Sequence, residues 1–277
     1  MSSVVSVPLF MFISGYFDYI NKIGGRRFYS LIIPFLTWSY LYFLYENSCR
    51  IDIESIIDFS ENIIRAPYYP STMWFLRTLF LQILIVYGCT RVREKYQNVC
   101  MICTYLIILL IAVFITDKFA IKSIAGNLPY FMFGYWCRRY SLTDKSFFHV
   151  IGIIAIPCFA ASMYAKEVFA SGLILSILFK LTSFIGILSI LAIVKIGCNI
   201  FKGHTQIAEQ LGKETIEIYT THFLVIWLLR DAGLSITSET MFISYLAYIL
   251  VVIPITVLLY KSLNKIRGVS YLLYAKK

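Results

Sequence analysis

The chain is predicted to be an all-α bundle, a polytopic membrane protein of about nine transmembrane helices with its N-terminus outside and its C-terminus in the cytoplasm. Three observations carry this. Of its 277 residues 59% are hydrophobic, with mean hydropathy +0.76, more apolar matter than a soluble core of this size needs. The apolar residues come in runs near or above the roughly 18 residues that span a bilayer. The joins between runs alternate in charge. One set holds Lys22, Arg26 and Arg27, then Arg91, Arg93 and Lys95, then Arg138, Arg139 and Lys145, then Lys195, Lys202 and Lys213, and finally Lys261, Lys265, Arg267, Lys276 and Lys277, which is 17 of the 25 basic residues. The other set holds Arg50, Arg65, Lys118, Lys122, Lys166 and Arg230. Short cytoplasmic loops collect Lys and Arg, so the richer set is the inner one.

The nine runs fall at 4–20, 29–45, 74–90, 99–116, 120–137, 147–165, 173–197, 214–230 and 241–260. The first contains VPLFMFISGYF, Val7 to Phe17, and no positive region precedes it, so it reads as an N-out span and not as a signal peptide. That start suggests a missing preceding helix, and one more span would make both ends cytoplasmic. Ser14-Gly15 forms a small-residue notch that lets a second helix, or a ligand chain hydrogen-bonded by Ser14, approach closely.

The join from Glu46 to Met73 interleaves Glu46, Asp52, Glu54, Asp58 and Glu61 with Ile53, Ile56, Ile57, Ile63 and Ile64. This predicts an amphipathic helix lying on the outer face, ended by APYYPST. Trp74 then opens the next span as an interfacial anchor. Arg77, one turn in, either snorkels to the headgroups or binds an anionic or sugar acceptor at the outer mouth. Gly126 and Pro129 interrupt the fifth run. Lys180 falls near the midplane of the seventh, where it requires an inward orientation and a partner. Asp18 and Glu217, the carboxylates to consider, sit nearer the cytoplasmic side, and His149 and His204 read as solvated at the cytoplasmic boundary.

The eighth run, TIEIYTTHFLVIWLLR, is the stretch the rest is organised around. His222 lies at its middle; Tyr219, three residues earlier, shares its face, and Thr215 extends that face by a turn. A histidine in lipid points into the bundle, where it either donates to a neighbouring helix's carbonyl and locks packing or serves chemistry. Counted from the cytoplasmic ends of their helices at 1.5 Å per residue, Ser14 and His222 both lie roughly 9–12 Å deep.

Several classes are excluded. The seven cysteines form no paired external framework and show no metal-ligand spacing, so no metal is expected. There is no Gly-rich phosphate loop, nucleophile elbow or paired-carboxylate motif; the lack of a visible internal repeat weakens the inverted-repeat transporter pattern without excluding transport. The basic residues are spread over every inner join, which suits anionic lipid and not a nucleic-acid footprint.

PLFMFISGYF, a basic loop and SLIIPFLTW, then MWFLRTLFLQILI, then LPYFMFGYWCRR, and last LGKETIEIYTTHFLVI resemble, in order and over nearly the whole chain, the integral-membrane acyltransferase 3 family, close to its sugar O-acetyltransferase branch. The resemblance implies one domain over 1–277, in a bacterial inner (cytoplasmic) membrane and crossing it several times. It further implies that the domain takes an acyl group, commonly acetyl, from acetyl-CoA and places it on a hydroxyl of a cell-envelope saccharide or lipid-linked glycan. Ser14-Gly15 matches the family's Ser-Gly motif, and Tyr219 with His222 its late Tyr-x-x-His pattern. The family's first helix carries an arginine and, about ten residues on, the histidine held to be catalytic; this chain starts at what looks like the second helix. His222 therefore inherits no base role from the resemblance. Oriented by Tyr219, it is the membrane-embedded histidine expected to position donor or acceptor, with substrate contacts expected from Ser14, Gly15, Trp74, Arg77 and Lys180. Two rival readings stand beside this one: a transporter of a polyprenyl-linked glycan, using Lys180, Arg77 and an interior drawn from 21 Tyr and 22 Phe, and a non-catalytic membrane partner of another envelope enzyme.

Overall fold

The computed structural model describes residues 3–17, 25–47, 52–65, 73–114, 120–168, 172–200, 212, 214–233 and 248–275. Its helices are α1 (Ser3–Phe17), α2 (Gly25–Glu46), α3 (Ile53–Arg65), α4 (Trp74–Thr90), α5 (Gln97–Phe114), α6 (Ile121–Arg139), α7 (Ser146–Val168), α8 (Gly172–Ile200), α9 (Thr215–Asp231), α10 (Ile253–Leu263) and α11 (Arg267–Tyr274). Among the described residues there is no strand. APYYPST, Asp18, Lys202, His204, Lys213 and the start of the ninth run lie outside the described residues.

The apolar runs become helices close to where they were expected: 74–90 is α4 and 214–230 is α9 shifted by one residue. Gly126 and Pro129 do not interrupt α6. The proline removes one backbone donor, but Ser123, Ile124, Ala125, Leu128, Tyr130, Phe131, Met132, Gly134 and Cys137 are all buried along the helix, and that packing outweighs a single lost bond. Among the described residues, Glu94–Phe114, Ser146–Tyr164 and Ile177–Ile200 are long and apolar enough to cross a membrane, while Val5–Phe17, Trp74–Thr90 and Tyr248–Leu263 are apolar but shorter. This is a membrane protein whose individual helices support three spans on length and composition. The expectation of nine also counted runs that form shorter helices, such as Val5–Phe17, Trp74–Thr90 and the 17-residue α9.

Packing divides the chain into two units. The first comprises Met1–Lys22, Leu81–Asp117 and Ile121–Thr205. Within it, α1 and α6 meet backbone on backbone. A Cβ added at Gly15 would collide with the carbonyl oxygen of Phe131, and one at Gly134 with that of Phe12. Gly186 receives Val5 of α1 and Phe159 of α7, and Gly152 of α7 receives Ala192 of α8. These pairings fix direction: Phe159 meets Gly186 and Gly152 meets Ala192, so α7 and α8 run antiparallel, as consecutive spans do.

The second unit comprises Ile23–Phe80, Lys118–Ala120 and Gln206–Lys277. Here α2 and α9 run side by side, with Tyr42 at the level of Thr220 and Tyr45 stacked on Trp227, ring centroids 4.9 Å apart. The amphipathic helix expected between 46 and 73 forms as α3. Asp52 starts it by accepting the Ser55 N–H at 2.6 Å, the usual way an N-terminal amide is satisfied. Phe59 packs on Phe43 of α2 at 4.7 Å, whereas Ile53, Ile56 and Ile57 stay exposed. That leaves an apolar face for lipid, as an interfacial helix requires.

Candidate active site around His222

In the second unit Tyr219 and His222 share a face of α9, as their spacing predicts, with ring centroids 5.7 Å apart. The Nδ1 of His222 lies 3.1 Å from the carbonyl oxygen of Ile218, one turn back on the same helix. A carbonyl only accepts, so Nδ1 carries the proton, and Nε2 of the neutral ring keeps its lone pair. The packing-lock reading expected a carbonyl from a neighbouring helix; the bond is intrahelical instead, and it fixes ring orientation and tautomer together. Around the pair stand aromatic rings: Phe223 at 3.9 Å and Tyr248 at 6.0 Å from His222, and Phe75 at 5.2 Å from Tyr219. Thr215 is engaged locally, donating to the Gly212 carbonyl at 2.7 Å.

The contact from Phe75 brings the start of α4 level with Tyr219. The sequence places Trp74 and Arg77 at the outer rim and Tyr219 toward the cytoplasmic side, yet the first turn of α4 packs directly on Tyr219. Arg77 is not snorkelling: it is 8% exposed, and its Nη1 donates to the Ile63 carbonyl of α3 at 2.6 Å. Trp74 is half-buried.

The residues behind His222 were not anticipated. Glu217, Thr220 and Thr221 are buried, lying about a turn apart on α9. Thr221 Oγ1 pairs with the Tyr274 hydroxyl of α11 at 2.9 Å. Tyr42 of α2, 1% exposed, donates its hydroxyl to the Thr220 carbonyl at 2.7 Å and accepts the Leu224 N–H at 3.0 Å. Thr220 and Leu224 are an i, i+4 pair with His222 between them, so one hydroxyl bridges the backbone turn that carries the histidine. The SLIIPFLTWSYLYF run gave no sign of this, because Tyr42 is one of many aromatics there.

In the first unit Ser14 is half-buried, and the notch at Gly15 is filled by the Phe131 carbonyl. That glycine holds a helix and leaves no room for a ligand chain. Lys180 is half-buried, and among the described residues no carboxylate lies within ion-pair distance of it. Its backbone carbonyl faces the Tyr130 hydroxyl at 3.5 Å. His149 is half-buried and lines a cavity in this unit.

No curated protein and no solved structure matches the chain. Residues 1–261 match the family model described as an acyltransferase domain, so that the Ser-Gly notch, the α4 turn and the Tyr219–His222 pair all fall within the matched region. The chain belongs to the acyltransferase 3 family.

Proposed function

We propose that this chain moves an acyl group, acetyl in the first instance, from acyl-CoA to a hydroxyl of a cell-envelope saccharide at the cytoplasmic membrane. In that reaction the acceptor oxygen attacks the thioester carbonyl carbon, a C–O bond forms, the C–S bond breaks, and the thiolate takes up a proton. The acceptor hydroxyl must be oriented and its proton accepted. The observation that carries the reading is the 3.1 Å contact of His222 Nδ1 with the Ile218 carbonyl: a proton on Nδ1 satisfies it and leaves Nε2 as an acceptor able to hold a substrate hydroxyl. Tyr219 orients the ring, and the Tyr42 hydroxyl holds the turn beneath it. Trp74 and Arg77, in the same unit, are proposed as substrate contacts; Ser14 and Lys180 are proposed separately, as contacts within the other unit.

The test uses purified protein in detergent with acetyl-labelled acetyl-CoA and a panel of envelope saccharides. Wild type is expected to retain the donor and transfer label. His222→Ala is expected to retain the donor and transfer about 100-fold less, the low end of what a positioned proton-accepting side chain contributes. Wild-type protein that neither binds nor transfers overturns the reading in favour of a transporter or a non-catalytic partner.

A further inference from the structure

The first unit contains a cavity of about 310 Å³ between α1, α7 and α8 that the proposed transfer does not use. Its walls are apolar: Phe12, Ile13, Phe148, Leu188 and Leu191. Polar groups line one side. Tyr16 and Thr143 close a corner through a 2.9 Å hydroxyl pair, and Asp144, His149, Lys195 and Cys198 complete that side. Lys195 and Asp144 are the charged residues of the lining, and just outside it the Arg138 guanidinium lies 5.7 Å from the Tyr16 ring centre. These residues belong to the joins that the charge bias places at the cytoplasmic face.

Size decides what class of molecule fits. A volume of about 310 Å³ is at the bottom of the range for ligand sites. It accommodates a stretch of alkyl chain, which its mostly apolar walls suit. We infer that the cavity is a binding site for an anionic phospholipid of the cytoplasmic leaflet, with part of an acyl chain between α1 and α8 and the phosphate at Lys195. The helices supply the apolar slot, and the lysine sits at the level where headgroups lie. This inference stands whether or not the protein transfers acyl groups.

Cys198 provides a local readout, being exposed and part of the lining. Cys158, exposed on α7 and outside the lining, is the internal reference. The full chain in maltoside micelles is supplemented with dioleoyl-phosphatidylglycerol or dioleoyl-phosphatidylcholine, and maleimide labelling of each cysteine is followed by peptide mass spectrometry. Phosphatidylglycerol is expected to slow Cys198 about five-fold relative to phosphatidylcholine and to leave Cys158 unchanged, the scale of one basic residue meeting an anionic surface. Lys195→Gln, at an exposed position, should abolish that difference. Ile13→Trp, which fills the slot, should slow Cys198 in either lipid. Equal Cys198 rates in the two lipids overturn the inference. So does protection by palmitoyl-CoA where phosphatidylglycerol gives none, which would assign the cavity to a coenzyme thioester.

Discussion

In the first unit α1 and α6 touch through glycines, and in the second α2 and α9 touch through a tyrosine hydroxyl. Both contacts bring helix axes together without relying on apolar burial, which in a membrane distinguishes little between protein and lipid. The glycine crossing works by the absence of atoms, with the carbonyls of Phe131 and Phe12 sitting where side chains would be. The tyrosine brace works by their presence, with one hydroxyl bonded twice to the turn around His222. The first therefore tolerates no addition, and the second tolerates removal at moderate cost.

The sharpest way to break this contrast is to add one carbon to the crossing. Gly15→Ala and Gly134→Ala each drive a Cβ into backbone that has no rotamer to change, so the helices must part. Overpacking usually costs 1–3 kcal/mol, and a clash with a carbonyl places these at the top, about 3 kcal/mol. The measure is unfolding in micelles followed by circular dichroism. Gly88→Ala and Gly126→Ala are the matched controls: nothing lies within 4 Å of either added Cβ. They should stabilise by roughly 0.5–1 kcal/mol, as alanine does inside a helix. A Gly15→Ala protein as stable as Gly126→Ala would dispose of the crossing.

Tyr42→Phe tests the other contact and should cost less. The substitution removes a donor and an acceptor together, and the groups left behind, the Thr220 carbonyl and the Leu224 amide, are partners for each other in an ordinary helix. About 1 kcal/mol of destabilisation is expected, the net worth of a typical hydrogen bond. The change should appear locally, as altered amide exchange at Leu224 and its neighbours, with the first unit unaffected. A loss as large as that of Gly15→Ala would mean that the brace is structural at the scale of the fold.

The two contacts also differ in how far they could be read from sequence. Gly15 was legible as a packing notch because a small residue in an apolar run has few other uses, and Tyr219 with His222 was legible because helical spacing alone puts three-apart residues on one face. Tyr42, Glu217 and Tyr274 were not, since their roles depend on which helix lies alongside, a fact that periodicity does not contain. The bond from Arg77 to the Ile63 carbonyl was hidden for a related reason. The depth of Arg77 was counted along its own helix, and only a neighbour, Tyr219 touched by Phe75, reveals where that helix begins within the unit. Lys195 stood out in the sequence as a basic residue of a join, but the cavity it lines needed α1, α7 and α8 together.

The smallest effect belongs to α3, where a terminal cap contributes in neither of these ways. Asp52 is exposed, and the Ser55 hydroxyl and N–H bonds hold its carboxyl below the usual carboxylate range. A depressed pKa means that the folded form favours the ionised carboxylate. The cap's contribution is thus complete above the unfolded-state value of about 3.9 and disappears as pH falls through the lower, folded value. Fraying of α3 should therefore begin below about pH 4 in wild type. Asp52→Ala should fray at every pH, and Asp52→Asn, which still accepts the Ser55 amide, should lose the pH dependence while keeping most of the cap. Because Phe59 remains packed on Phe43, the fraying should stay within the first turns of α3. Amide exchange at Ser55 and Ile56 reads it directly, and exchange that spreads past Phe59 would show that the cap, and not the aromatic contact, holds the helix in place.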